Sequence, residues 1–481
     1  MYNHKTKIIC TIGPASESPE IIKSLILGGM DVARINFSHG THKTNLNAAQ
    51  NVKNLREELN RPVALLMDTK GPEIRTMTLP EGGVELSAGQ RFTLTTREVE
   101  GTNEIVSVSY AGLPVCVSRG TRILLDDGLI ELVVDQKSQT DVETRVMNSG
   151  FLGNRKSVNL PGITTDMPYM DAKDMIDLRC AYDNDFDFVA LSFVRSAQDV
   201  ISVREYLSSI GPSRMELIAK IENEEGVRNA AEIISEADGL MVARGDLGVE
   251  IPMEEIPMVQ KQLIKLCRTA GKKVITATQM LESMVQNPRP TRAEVTDIAN
   301  AIYDGTCAIM LSGETSAGRY PVESLETMVK IAEKTERSIN YKKRFSSFVG
   351  DFGQNITTAI GHATCTTAHD LGAEAIVAVT LKGDTARMVS RFKPQTKIVG
   401  VTPLEKTYMQ LSLCWGVTPL LTEYIESQEE LFQDAVTKTQ QANLARDGDL
   451  IIITGSAHAR SGITNALQVH VLDAPTCQFA T

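Results

Sequence analysis

Short apolar runs that end in polar or glycine-rich turns recur along most of the chain, and each is followed by a stretch of helical periodicity. The runs predict strands at Lys7–Ile12, Asp31–Phe37, Val63–Asp68, Asp187–Phe193, Glu216–Ile221, Gly239–Ala243, Lys273–Ala277 and Cys307–Leu311. Between them the apolar positions repeat every three to four residues, as through Ile256, Val259, Leu263 and Leu266. Strands alternating with such helices pair in parallel, and eight units close into a (β/α)8 barrel of the usual size, roughly 250 residues. An open doubly wound sheet is the alternative, but no glycine-rich phosphate fingerprint follows the first strand.

The period changes from about Met77 to Asn159, where RFTLTT, EIVSVSY, RILLDDGLIELVV and DVETRVMN alternate apolar and polar residues one by one. Asp127-Gly128 marks a hairpin inside this stretch. An all-β insert attached by two crossings at the ligand-bearing end of a barrel is placed to act as a lid. Its last stretch, LGNRKSVNLPG, brings Arg155 and Lys156 back toward the barrel.

After a helix from Pro321 to Asn340, the charged run YKKRFSS reads as a linker. A second alternation follows, with strands near Ala375–Thr380, Lys397–Val401, Gly416–Leu420, Leu450–Thr454 and Leu467–Leu472, predicting a smaller, largely parallel α/β domain. The expected division is a barrel over residues 1–69 and 168–345, a β lid over 70–167 and a C-terminal α/β domain over 346–481. Two loops of the last domain, Thr380–Thr385 and Thr454–Gly462, carry the small hydroxyl and glycine residues that form phosphate nests or, equally, tight turns.

Composition narrows the classes of function. A formal net charge of −11 excludes the basic excess that nucleic-acid or membrane-surface binding needs. An anionic substrate must therefore be drawn by a local cluster of Arg, Lys and metal. The 8 cysteines stand singly without zinc spacing, as in a reducing, cytoplasmic setting. The chain opens directly into a strand, and no apolar run reaches the length of a membrane span.

Chemistry concentrates where the barrel strands end. In MVARGDLGVEIP, Arg244, Gly245, Asp246 and Gly248 arrive where a buried strand must stop; two glycines around a carboxylate suit a sharp turn against a ligand and a divalent cation. An Asp-capped turn would explain that segment alone, but LIAKIENEEG carries Lys220 and Glu222 at the neighbouring strand end, on the same face at i and i+2. The other ends add Arg34, Asn36, Ser38 and His39, then Asp68, Thr69, Lys70, Glu73 and Arg75, then Thr278 and Gln279, and last Ser312 and Glu314. Glu222 and Asp246 suit Mg²⁺ or Mn²⁺, Arg34 and Arg75 suit phosphoryl oxygens, and Lys220 can stabilise developing negative charge. Asn36, Ser38, Asp68 and Thr69 are mostly neutral oxygen donors, which suits a monovalent cation.

The motifs VARINFSHG, MDTKGPEIRT, AKIENEEGV, MVARGDLGVEIP, TATQMLESM, NPRPTRAEVTDIANAI and DGTCAIMLSGETSAGRYP together resemble the pyruvate kinase family, in order and along almost the whole chain. The resemblance implies a central barrel, a mobile lid after the third strand, a regulatory C-terminal domain and a homotetramer. It implies that Arg34 and Lys220 contact the phosphoryl group of phosphoenolpyruvate, that Gly245, Asp246 and Thr278 contact the substrate, and that Glu222 and Asp246 hold Mg²⁺. It further implies K⁺ on Asn36, Ser38, Asp68 and Thr69, with Glu73 fitting the K⁺-dependent subgroup, and ADP on Asn36, His39, Arg75 and Lys156. Protonation of the enolate would fall to Thr278 through water, with Ser312 and Glu314 as relay members. The loop TLKGDT, with Thr380, Lys382, Gly383 and Thr385, resembles the effector-phosphate loop of sugar-phosphate-activated members, yet Asp384 sets a carboxylate there, for which His458 and Arg460 would compensate. The tail APTCQFAT has no assigned role. Two rival readings remain: a Mg²⁺-dependent barrel lyase, which has no use for the K⁺ set or Lys156, and a sugar-phosphate sensor, which needs only the C-terminal domain.

Overall fold

The computed structural model describes residues 4–346, 355–456 and 463–472. Eight parallel strands, Lys7–Ile12, Val32–Asn36, Ala64–Asp68, Phe188–Leu191, Glu216–Ile221, Gly239–Ala243, Lys273–Ala277 and Ala308–Leu311, close into a barrel, each pairing with its neighbour in sequence and the first with the last. Both faces of these strands are buried, which is why they read as continuous apolar runs. Inside the barrel, Ile9, Val32, Leu66, Phe188, Ile218, Met241 and Met310 form one cluster, and Leu413 of the C-terminal domain joins it from below. The outer cluster includes Val259, Leu263 and Cys267 of the helix Ile256–Ala270, in which Ile256 and Leu266 are half-buried at its edge, as the helical periodicity predicts.

Between the third and fourth strands lies the β insert. Its main sheet has 6 strands and a second has 2; they pack a core of their own around Phe92, Leu94, Ile123, Leu132 and Val142. The hairpin at Asp127-Gly128 is present: Leu125 pairs with Ile130, and Asp126, Asp127 and Gly128 all take positive φ in the turn.

The C-terminal sheet has 5 strands in the order Val417–Leu421, Lys397–Thr402, Ala375–Val379, Leu450–Gly455, Ala466–Val471, parallel except for the last. It closes the bottom of the barrel through Leu413 and through polar contacts such as Ser412 Oγ to Pro62 O at 2.7 Å and Gln410 Nε2 to Arg214 O at 2.6 Å. The run YKKRFSS is not the linker expected of its charge. Tyr341–Ser346 is a helix whose Tyr341 is buried with Lys5 Nζ over its ring and whose Phe345 packs against the C-terminal core. His458, Arg460 and the tail APTCQFAT lie outside the described residues.

Candidate active site

Asp68, at the end of the third strand, is the point on which the site's cations converge. Arg34 Nε donates to Asp68 Oδ2 at 2.7 Å, and Lys220 Nζ donates to Asp68 Oδ1 at 3.2 Å. Lys220 Nζ also lies 2.9 Å from Glu222 Oε1. All four side chains are buried, so the Coulomb attraction among them is poorly screened. Burial works to raise the Asp68 pKa, but Arg34 and Lys220 more than offset it and hold the carboxylate below its ordinary range. Burial likewise pulls the Lys220 pKa down, and Asp68 and Glu222 outweigh it, so the lysine stays charged.

Glu222 behaves in the opposite way. Burial pushes its pKa up to about 7, Lys220 opposes the shift and Asp246 adds to it by repulsion. Phe193 N–H donates to Oε2 at 2.7 Å, whereas the contact of Lys220 with Oε1 is off the hydrogen-bonding direction and leaves that buried oxygen without a hydrogen bond. A buried carboxylate with a free oxygen facing a second carboxylate is a setting that a divalent cation relieves. No group of three or more His, Cys, Asp or Glu that could hold a metal occurs among the described residues. A two-carboxylate site suits an ion that keeps waters and takes substrate oxygens, which is the habit of Mg²⁺.

Asp246 lies in the first turn of a helix, Arg244–Glu250, that starts where the sixth strand ends. Here the structure corrects the sequence reading of a sharp glycine turn, for neither Gly245 nor Gly248 has positive φ. The strained backbone sits opposite instead, at Thr278 and Gln279, with φ of 67° and 52°. A β-branched residue in that region is an outlier that its surroundings must enforce. Gly245 N–H donates to Thr278 Oγ1 at 2.8 Å, and the Arg244 guanidinium donates to Thr278 O at 2.7 Å while Asp297 holds it at 2.6 Å. Gly245, Asp246 and Thr278 are thereby joined into one unit.

The four oxygen donors of the second and third strand ends are adjacent. Asn36 Oδ1 accepts from Ser38 N–H at 3.0 Å, Ser38 Oγ is 3.5 Å from Thr69 O, and Asp68 precedes Thr69. His39 is exposed beside them. Glu73 is forked by Arg75, with Nε to Oε2 at 2.8 Å and Nη2 to Oε1 at 2.7 Å. Lys156 pairs with Asp126 inside the β insert at 2.9 Å. At the eighth strand end, the Glu314 carboxylate accepts from the backbone N–H of Leu281 at 2.9 Å and of Ser312 at 2.7 Å, which fixes the loop, while Ser312 Oγ is buried without a hydrogen-bond partner.

In the C-terminal domain, Gly383, with φ of 89°, opens the helix Asp384–Arg391 and donates its N–H to Thr380 Oγ1 at 2.9 Å. The Asp384 charge that sat badly with an anion site is taken up by Arg387, whose Nη2 donates to Asp384 Oδ1 at 2.7 Å and to Lys382 O at 2.7 Å. Thr385 Oγ1 meets Thr464 Oγ1 at 2.8 Å.

Sequence reasoning does not single out Thr11, Ser192 or Arg387, and it names Arg244 without a role. Thr11 takes Arg34 Nη1 at 2.9 Å, Ser192 takes Lys220 Nζ at 2.8 Å, and Arg244 and Arg387 act as braces. Thr11 and Ser192 stand near the ends of the first and fourth strands, the two whose ends contributed nothing to the expected rim. That vacancy in an eightfold pattern is the signal that would have found them.

Two family models match the chain: pyruvate kinase barrel domain over residues 3–325 and pyruvate kinase alpha/beta domain over residues 358–470. Proteins called pyruvate kinase from Sporosarcina psychrophila and Staphylococcus aureus are each 48% identical to it over 471 residues, covering 97% of this chain and 80% of theirs. A crystal structure of a pyruvate kinase from Cryptosporidium parvum superposes with a TM-score of 0.92 at 38% identity, covering 98% of this chain and 96% of that one. With both family models in sequence order and the barrel, insert and C-terminal sheet in place, this chain belongs to the pyruvate kinase family and is a phosphotransferase.

Proposed function

We propose that the enzyme transfers the phosphoryl group of phosphoenolpyruvate to ADP, giving pyruvate and ATP, as a cytoplasmic step of glycolysis. The observation that carries this reading is the buried cluster of Arg34, Asp68, Lys220 and Glu222 at one end of the barrel, with Asp246 acting on it electrostatically. Arg34 and Lys220 would hold the transferring phosphoryl group, and Gly245, Asp246 and Thr278 would contact the substrate. A Mg²⁺ or Mn²⁺ ion on Glu222 and Asp246 supplies charge stabilisation for the enolate and the phosphoryl oxygens when bound. Asn36, Ser38, Asp68 and Thr69 are the residues for K⁺, and Asn36, His39, Arg75 and Lys156 those for the nucleotide.

Within this reading the protein's own groups position and polarise. Lys220 meets the negative charge that grows on the leaving enolate oxygen without having to reorganise, because carboxylates on both sides keep it charged. Thr278, whose Oγ1 accepts from Gly245 N–H at 2.8 Å and donates to Ala277 O at 2.6 Å, is the side chain that would deliver a proton to the enolate carbon through water. Ser312, whose buried hydroxyl is uncommitted, continues that route. Regulation through the Thr380, Lys382, Gly383 and Thr385 loop by a phosphorylated effector, and assembly as a homotetramer, complete the proposal. An assay of pyruvate and ATP formation with and without K⁺, over a panel of phosphorylated sugars, tests it. Turnover that ignores K⁺ would remove the monovalent site, and indifference to every sugar phosphate would remove the effector reading.

A further inference from the structure

The fourth barrel strand ends at Leu191, and its end has no part in the reaction so far. Ser192 follows and is buried at 2% exposure. Its hydroxyl donates to Thr69 O at 2.6 Å and accepts from Lys220 Nζ at 2.8 Å; Asp68 Oδ1 is 3.3 Å away. A serine hydroxyl has a single proton, so the short bond to Thr69 O turns its lone pairs toward the lysine.

The backbone of the same residue is held by both chain crossings of the β insert. On the entry side, Ser192 N–H donates to Thr69 Oγ1 at 3.1 Å, and Gly71, with φ of 68°, packs so closely that a Cβ there would come within 2.6 Å of Ser192 O. On the exit side, the Tyr169 hydroxyl donates to Ser192 O at 2.9 Å from a buried ring. The next residue, Phe193, takes a left-handed φ of 55°, and its N–H reaches Glu222 Oε2 at 2.7 Å. One strained turn therefore touches Lys220, Glu222 and both attachments of the insert.

We propose that Ser192 is a positioning residue for Lys220, and that the Tyr169 to Ser192 contact passes the seating of the insert's crossings to that lysine. The inference rests on the phosphoryl-transfer reading above. Lys220 has three N–H groups: Ser192 and Asp68 accept hydrogen bonds from the ammonium, and Glu222 lies in ion-pair contact with it at 2.9 Å. A phosphoryl oxygen must take the place of one carboxylate. Ser192 is the neutral partner, and it holds the ammonium in line while that exchange occurs. Without its hydroxyl the lysine is drawn toward Asp68 and Glu222, away from substrate.

The test uses Ser192→Ala and Tyr169→Phe, singly and together, in the full chain, with kcat and KM for phosphoenolpyruvate and ADP and the melting temperature of each. Ser192→Ala should lower kcat about tenfold or more with KM for ADP unchanged, the size expected for a lost hydrogen bond to a charged group. Tyr169→Phe should lower kcat by a smaller factor, and the double variant should match Ser192→Ala, because the tyrosine acts through the serine. Effects that multiply in the double variant would overturn the coupling, since two independent structural losses combine that way. A kcat of Ser192→Ala within twofold of the parent would overturn the positioning role. Should Ser192→Ala fail to fold, an unchanged kcat in Tyr169→Phe alone overturns the proposal. A parent chain that makes no pyruvate sinks the reaction itself, whereas a fully active parent with unaffected variants sinks only this inference.

Discussion

The Arg387 guanidinium stands 3.0 Å from Glu216 Oε1 and so joins the C-terminal domain to the base of the strand that carries Lys220. Its other nitrogen holds the turn at Lys382 and Asp384, and the second oxygen of Glu216 takes the buried Lys273 ammonium. The carboxylate is thus shared by two cations from two domains.

Replacing Glu216 by Gln takes the carboxylate from the buried Lys273 and leaves Arg387 with Asp384 alone. The expected cost is about 3–5 kcal/mol, as for breaking a buried ion pair on one side. Urea unfolding should show it as a lower midpoint, partly restored in Glu216→Gln with Lys273→Met. An unmoved midpoint would mean that solvent already neutralises the pair.

Lys220→Met should lower kcat by roughly a thousandfold or more, in the range found for removing a preorganised charge stabiliser. Arg34 still neutralises Asp68 at 2.7 Å, so the barrel should keep its circular dichroism spectrum. Turnover near that of the parent chain would strip the lysine of its assigned role.

Glu73, held by Arg75, follows a few residues after Asp68 and Thr69, two of the proposed K⁺ donors. Glu73→Lys should relax the need for K⁺, because a fixed ammonium stands in for the ion and Arg75 is released from its carboxylate partner. The readout is a K⁺ titration of initial rate. A curve superimposable on that of the parent contradicts the substitution of one charge for the other.

Trp415, the only tryptophan, lies buried between two lysines of different domains, with Lys393 Nζ 4.6 Å and Lys5 Nζ 5.3 Å from its ring centroid. Burial pulls both ammonium groups down to about 8 from an ordinary 10.5. Between those values the unfolded chain binds more protons than the folded one, so stability should rise with pH across that window. Trp415 emission should change with a midpoint near pH 8, and Lys393→Met should suppress most of that change. A flat emission profile from about pH 6.5 to 9.5 would show the charges to be insulated from the ring.

The fold was legible because barrel strands buried on both faces leave long apolar runs that helices of 3.6-residue period separate. Seven of the eight predicted strands ended within a residue of their true ends. The fourth did not: the run through Phe193 continues apolar past Leu191, and burial alone cannot mark where a strand turns left-handed. That is why Ser192 was read as strand interior and not as a rim residue. Charged side chains that brace, such as Arg244 on the strained Thr278 turn and Arg387 on its own loop, were visible as letters but not as roles, since their partners lie far away in sequence. The short helix at Tyr341–Ser346 was hidden by its charge, which is solvated on one side while Tyr341 packs inward.

The most direct measurement follows both products from phosphoenolpyruvate in the presence of Mg²⁺ and K⁺, with ADP supplied or withheld. A phosphotransferase built on Lys220, Glu222 and Asp246 should form pyruvate and ATP in equal amounts and release almost no pyruvate when ADP is absent. Pyruvate released at the same rate without ADP would contradict the account and point to a lyase or phosphatase at the same rim.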